Sequence, residues 1–185
     1  MLAVAAWSAD LQKGLAAYDV GDYETSLAEC QPLADAGDAA AQFCVGRLYA
    51  NGFGVPMDDA VALHWYGAAA AQGHGEALYN LGVFTENGWG VAMDSLEAAK
   101  WYRLAADQGF LQAQTTLAKN FQNGRGVDKD LVEAYKWYAI ADQNGDNTAQ
   151  IGLDEVVAEL SAEQLAEAKQ RAEQWLAQHA AKVAP

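Results

Sequence analysis

Apolar residues recur along this chain in helical stripes, and the stripes return every 36 residues. One stripe, at positions i, i+4 and i+5, begins at Ala41 and returns at Ala77 and Ala113. A second stripe, at positions i, i+3, i+4 and i+7, begins at Ala62 and contains a Trp-Tyr pair that also returns with each period. Each stripe has the spacing of one buried helix face. The period therefore predicts a pair of helices in every unit.

The two helices of each unit are joined by a loop with the pattern Asn-Gly-x-Gly-Val. Asn and Gly both tolerate the positive φ at which helices commonly end. An Asp follows each loop, where its carboxylate can cap the next helix, and a Gly closes each unit. The loops are residues 51–55, 87–91 and 123–127, the capping residues are Asp58, Asp94 and Asp130, and the closing residues are Gly73, Gly109 and Gly145.

These signals divide the chain into units. A shorter unit without the glycine loop covers residues 10–37, full units cover 38–73, 74–109 and 110–145, and a partial unit covers 146–160. Ser161 and Gln164 then form a capping box, which opens a helix with one polar face, so residues 161–185 are predicted to cap the array. Residues 1–9 are interpreted either as a signal-peptide remnant or as an N-terminal helix extension.

One helix pair of this size cannot bury its apolar stripes alone, whereas stacked pairs bury them jointly. The small residues Gly46, Gly82 and Ala118 let neighbouring helices approach closely. We therefore predict an all-α fold, a right-handed α/α superhelix or solenoid of about ten helices, with a concave and a convex side.

The charge of the chain narrows the classes of partner. Its formal net charge is -14 over 185 residues, which argues against nucleic acid, because phosphate binding requires clustered Lys and Arg. No run of 18 or more apolar residues occurs, so we predict no membrane insertion. A basic protein or peptide is compatible with the charge, and so is simple solubility. We expect a monomer.

The sequence predicts no metal, no cofactor and no catalytic residues. His64, His74 and His179 share no metal-ligand spacing. The acidic run at 142–146 resembles the start of a calcium loop, but Asn147 stands where that loop needs Gly and Leu153 where it needs Glu. The glycine loops lack the Lys-Ser/Thr of a phosphate loop, and neither Gly-x-Ser-x-Gly nor Ser-x-x-Lys occurs.

The units resemble Sel1-like repeats, relatives of tetratricopeptide repeats with longer loops. The resemblance rests on Ala-x-x-x-Leu-Gly from Ala77 to Gly82, on the glycine loops with their Asp, and on Ala-x-x-Trp-Tyr-x-x-Ala-Ala from Ala98 to Ala106. It covers about residues 8–160 and departs from the pattern at Ala118, where the repeats have Gly.

This resemblance implies a protein-protein interaction scaffold or adaptor that binds a peptide or protein on its concave surface, and that is not an enzyme. The alternative that it implies is a bacterial envelope enzyme or enzyme accessory acting on β-lactams or peptidoglycan. A periplasmic or secreted location is slightly favoured over a cytoplasmic one.

The tetratricopeptide pattern also implies which residues contact a partner. The first helix of each unit lines the concave side in such arrays, and its positions between the core positions are expected to be exposed there. These residues vary between units, whereas the loop and core residues do not. They are Phe43, Arg47, Glu76, Tyr79, Val83, Glu86, Gln112, Thr115, Lys119 and Gln122.

Two cysteines form the remaining candidate site. Cys30 and Cys44 lie seven residues on either side of Gly37, so they face each other across a hairpin if Gly37 ends a helix. The resemblance to exported, cross-linked repeat proteins implies a disulfide between them. The alternative is two buried free thiols in a cytosolic protein. The same two positions hold Tyr66 with Asn80, and Tyr102 with Thr116, in the following units.

Overall fold

A computed structural model describes residues 9–179, and within this range it contains ten α-helices and no β-strand. The predicted all-α class is therefore confirmed for this part of the chain. The first eight residues of the predicted signal-peptide remnant or helix extension lie outside the described residues. The helices are α1 (Leu11–Asp19), α2 (Tyr23–Asp35), α3 (Ala39–Asn51), α4 (Asp59–Ala71), α5 (Gly75–Asn87), α6 (Ser95–Asp107), α7 (Leu111–Asn123), α8 (Leu131–Gln143), α9 (Ala149–Glu159) and α10 (Ala162–His179).

Local capping sets the helix ends. The Asp58 carboxylate accepts hydrogen bonds from the backbone N–H groups of Ala60 and Val61, both at 3.0 Å, and Asp94 and Asp130 cap α6 and α8 in the same way. Each such cap satisfies donors that the first helical turn leaves without a partner. The first glycine of each loop ends α3, α5 and α7 in the left-handed conformation.

The second glycine of each loop is required by a close approach as well as by its backbone. Gly90 has a φ of +67°, and a Cβ on it would lie 2.8 Å from the carbonyl carbon of Asp59. The loop after α5 therefore lies directly on the start of α4. A side chain at this position would push the loop off the preceding unit, so only glycine fits.

The contacts between residues divide the chain into two compact units, Met1–Met93 and Asp94–Pro185. In the first unit, Cys30, Ala34, Ala41, Cys44 and Val45 form a buried cluster between α2 and α3. The close approach predicted at Gly46 is observed, since a Cβ there would lie 2.7 Å from the ring of Tyr66.

The core of the second unit contains several large side chains. Trp137, Tyr102, Tyr138, Leu117 and Ile140 are all buried. The Tyr of every repeated Trp-Tyr pair is buried, but Trp137 is the one fully buried Trp among the three pairs, and the Trp residues of the other two pairs are half-buried. Tyrosine is thus the constant core residue of the second helices.

The last helix packs on α8. Its capping box is formed, because Ser161 N–H donates to Gln164 Oε1 at 3.0 Å and Gln164 N–H donates to Ser161 Oγ at 3.2 Å. The Trp175 ring packs edge-on against Trp137, with 5.5 Å between ring centroids. None of the helices between residues 9 and 179 combines the length and apolar composition that crossing a bilayer requires.

Candidate functional site

The ten residues expected to contact a partner lie on α3 and α5 in the first unit and on α7 in the second. Within each unit, we call the side of these helices that carries them the first-helix face. Eight of them reach the surface. Glu76, Gln112 and Lys119 are exposed, whereas Arg47, Tyr79, Val83, Glu86 and Gln122 are half-buried.

Phe43 differs from this expectation, because only 7% of its surface is exposed. Its ring stacks on that of His74 with 4.7 Å between centroids, and it lies 5.7 Å from the ring of Tyr66. His74 also caps α5, where its Nδ1 accepts from the N–H of Ala77. Phe43 therefore packs α3 against the start of α5 and is not presented to a partner.

Thr115 is the second departure, with 6% of its surface exposed. Its hydroxyl donates a short hydrogen bond to the carboxylate of Asp146, in the turn before α9. Partial burial acts to raise the pKa of Asp146, but hydrogen bonds from Thr115 and Thr148 outweigh it and hold that pKa below its usual value. Thr115 thus fastens α7 to the following turn.

Arg47 lies on the first-helix face of the first unit. Its guanidinium carbon lies 3.8 Å from the ring centroid of Tyr18 and 5.6 Å from that of Phe43. Tyr18 continues into an aromatic cluster, in which its ring packs edge-on against Tyr23 and Tyr23 stacks on Phe53 with 4.3 Å between centroids. We refer to Tyr18, Tyr23 and Phe53 as the aromatic cluster. The Arg47 guanidinium thus packs on the Tyr18 ring, which is the nearest member of this cluster.

Arg47 is also unusual in its charge environment. Residues 1–93 contain eleven Asp and Glu residues but only two Lys or Arg, namely Lys13 and Arg47. Lys13 forms an ion pair with Glu29 at 2.5 Å. Arg47 forms no ion pair and donates no side-chain hydrogen bond to any residue in the described range 9–179.

The second unit contains a groove. It encloses about 370 Å³ between α7, α8 and α9. Gln122 lines this groove, and its side-chain oxygen accepts from the Tyr138 hydroxyl at 2.7 Å while its side-chain nitrogen donates to Glu155 at 2.9 Å. The lining residues are Lys119, Gln122, Asn123, Tyr138, Thr148, Ile151, Gly152 and Glu155.

The groove contains both a cation and an apolar wall. Lys119 is exposed and has no ion-pair partner among the residues of the second unit that the structure describes. Ile151 is 68% exposed and supplies the apolar side of the lining. Burial, with a contribution from Glu155, raises the pKa of Tyr138 to about 12, so its hydroxyl stays protonated and continues to donate to Gln122.

Sequence reasoning missed the α9 wall of this groove and the aromatic cluster. The period could have identified the wall, because Ile151 and Glu155 lie 36 residues after Thr115 and Lys119. The partial unit lacks the glycine loop, so the expected face ended at α7. The repeat period gave no signal for the aromatic cluster, because the cluster joins the short repeat at residues 10–37 to the loop at residues 51–55.

Cys30 and Cys44 are both buried free thiols in the core cluster of the first unit. They are neighbours in this cluster, and the Ser26 hydroxyl oxygen lies 3.4 Å from Cys44 Sγ. The hydrogen bond from Cys30, together with Ser26, lowers the pKa of the Cys44 thiol. The same pairing, together with burial, raises the pKa of Cys30.

Comparison with known proteins shows which kind of repeat the chain contains. The Sel1 repeat family matches residues 39–74, 75–110 and 111–146, which together make up more than half of the chain. A Sel1 repeat protein from Oxalobacter formigenes has 34% identity and a TM-score of 0.74 over 78% of this chain. The protein c5321, a protective antigen of uropathogenic Escherichia coli strains displaying an SLR fold, has 32% identity and a TM-score of 0.78 over 86% of this chain.

The chain is shorter than both solved structures, since the alignments cover 59% of the Oxalobacter protein and 34% of c5321. No curated protein matches it. The predicted fold class, an all-α solenoid of helix pairs, is confirmed by these two structures.

Proposed function

The chain belongs to the Sel1 repeat family, and we propose that it is a scaffold whose first-helix face holds a peptide or protein partner. Members of this family are typically protein-interaction scaffolds, and the fold is generally non-enzymatic. The alternative of an envelope enzyme or enzyme accessory stays a prediction from the resemblance, as does the location in the cell.

The proposal rests on two basic side chains that form no ion pair within their own units. Arg47 and Lys119 occupy the same repeat position, two periods apart. Each reaches the surface, and neither forms an ion pair with a described residue of its own unit. In an acidic chain with many carboxylates available, cations without an internal partner are candidates for partner contacts.

The variation of residue type between repeats also supports the first-helix face as the binding surface. The position that holds Arg47 and Lys119 holds Val83 in the unit between them. The capping residues and the buried Tyr, by contrast, stay the same from unit to unit. Residues that the fold does not constrain are where a scaffold acquires a specific partner.

Site-specific photo-crosslinking tests the proposal. Benzoylphenylalanine is placed at Glu76 or Lys119, which are exposed on the first-helix face, and the full chain is irradiated in lysate of the source organism. The controls are Val20, at the end of α1, and Leu96, on α6, which are 82% and 61% exposed and lie outside α3, α5 and α7. We expect both face positions to crosslink to one protein that the controls do not capture.

The captured protein is then purified and titrated against the chain. The double variant Arg47→Glu/Tyr79→Ala should bind it about tenfold more weakly or worse, as expected when contacts of a hot spot are lost. Equal crosslinking from Val20 and Leu96, or unchanged affinity of the double variant, would remove the first-helix face as the binding surface.

A further inference from the structure

We propose that Arg47 receives a carboxylate of the partner, and that the apolar group next to this carboxylate rests on the aromatic cluster. The inference rests on the proposed function, because it names the chemistry of the partner at the same face. Its ligand is a peptide with an aromatic or aliphatic residue beside a carboxylate.

The orientation of the guanidinium carries the first step. The Tyr18 ring covers one face of the planar group, at 3.8 Å from its central carbon, and the Phe43 ring lies farther away at 5.6 Å. The N–H donors lie in the plane of the group, so this packing leaves them available for two parallel hydrogen bonds to one carboxylate. Because the side chain already packs on Tyr18, binding costs less conformational entropy than it would for a free arginine.

The second step is the absence of an internal acceptor. Arg171 provides a comparison, because its guanidinium donates to two carboxylates of the chain itself, to Glu133 at 2.7 Å and to Glu167 at 2.6 Å. Arg47 has no acceptor among residues 9–179, although its unit is rich in carboxylates. A half-buried guanidinium without an acceptor forms a stronger bond with an incoming anion than a fully exposed one does.

The surroundings select the kind of anion. The first unit has one unpaired Lys or Arg among its described residues and a large excess of carboxylates, so it favours a monoanion over a doubly charged phosphate. Tyr18, Tyr23 and Phe53 are all half-buried. An apolar side chain beside the carboxylate covers these rings and adds affinity.

Nuclear magnetic resonance on the full chain tests the proposal with three small probes. N-acetylphenylalanine has the carboxylate and the ring, its amide has the ring alone, and acetate has the carboxylate alone. The readout is the Nε–H resonance of Arg47, assigned as the arginine signal that the Arg47→Gln variant lacks. Binding to that variant is followed by the backbone amides of α1 and α3.

We expect N-acetylphenylalanine to shift the Arg47 resonance and to saturate, and both other probes to bind about tenfold more weakly. Arg47→Gln should lose the preference for the carboxylate over the amide. The matched control is Arg103→Gln, because Arg103 also stacks on two rings, Phe121 at 5.2 Å and Trp137 at 5.8 Å, but lies on α6. This variant should bind like the unaltered chain.

Equal binding of the acid and its amide, or unchanged binding by Arg47→Gln, would overturn the proposal. These outcomes are distinct from failure of the proposed function. If the photo-crosslinks identify a partner while N-acetylphenylalanine fails, only the ligand chemistry is wrong. If N-acetylphenylalanine binds at Arg47 while the face positions capture no partner, the site recognises a small carboxylate and the scaffold function is wrong.

Discussion

The ring of Tyr138 lies so close to Gly152 that a Cβ on residue 152 would overlap the ring atom Cζ. This contact joins α8 to α9, and the Tyr138 hydroxyl donates to Gln122 in the lining of the groove between α7, α8 and α9. Because Gly152 has no side chain, the Tyr138 ring can occupy this place in the groove lining.

Gly152→Ala should destabilise the chain by about 1 kcal/mol. Overpacking costs about 1–3 kcal/mol, and the higher helix propensity of Ala returns up to about 1 kcal/mol of that. The matched control is Gly67→Ala, because a Cβ on Gly67 meets nothing within 4 Å and only the propensity gain remains. Urea unfolding of both variants measures the difference. A stabilised Gly152→Ala protein would mean that the Tyr138 ring moves aside freely.

Cys30 and Cys44 occupy the same repeat positions as Tyr138 and Gly152, three periods earlier. The observed contact of Tyr138 with Gly152 therefore supports a direct approach of the two thiols. We predict that mild oxidation of the native chain forms a disulfide between them, which stabilises it by about 3 kcal/mol for a loop of this length. Peptide mapping without reductant should find the linked pair, and thermal unfolding should shift upward.

The control for this prediction is Cys44→Ser, which should show no such shift after the same treatment. Recovery of both thiols in alkylated form after oxidation and denaturation would contradict the disulfide. It would instead leave Cys30 and Cys44 as small core residues, the role for which burial alone suffices.

The repeat pattern predicted helix pairs and caps well because these depend on nearby residues. Asp58 caps α4 through N–H groups two and three residues away, so its role can be read from the sequence alone. The burial of Phe43 and Thr115 could not be predicted in this way. It depends on His74 and Asp146, which lie in the next repeat at one repeat position, where the residue type varies among Asp, His and Phe.

The cap that His74 provides should make stability depend on pH near neutrality. Burial lowers the pKa of His74 below its ordinary value of 6.5, with Glu76 and Asp38 opposing the shift. Between the two values the unfolded chain binds more protons than the folded one, so stability rises with pH. The contribution is complete above 6.5 and is lost as the pH falls through the lower, folded value.

His74→Asp is the variant that tests this dependence. The equivalent cap one unit earlier is Asp38, which accepts from the N–H of Ala41 at 2.8 Å, so the substitution reproduces a cap that the chain already uses. Urea unfolding at a series of pH values should show a loss of stability below pH 6.5 in the unaltered chain and a smaller loss in the variant. Identical profiles would exclude His74 as the cause.

Glu133 should be the most sensitive residue at the junction of α8 and α10. Its carboxylate bonds Lys136 at 2.8 Å and Arg171 at 2.7 Å, and the side chains of Glu133 and Lys136 are only 15% and 12% exposed. Burial acts to raise the pKa of Glu133, but the hydrogen bonds from these two cations outweigh it and lower the pKa. The stability that Glu133 contributes is thus present above its unfolded pKa and is lost as the pH falls through the depressed one.

Glu133→Gln should cost about 3 kcal/mol, because it leaves the ammonium of Lys136 buried without its counter-ion. Arg171→Met should cost less than about 1 kcal/mol, since Arg171 is 41% exposed and solvent screens its ion pairs. Urea unfolding compares the two variants. In acid, Glu133→Gln should also lose less stability than the unaltered chain, because the carboxylate is no longer there to be protonated. If Arg171→Met were the more damaging variant, the buried pair within α8 would not be what stabilises this junction.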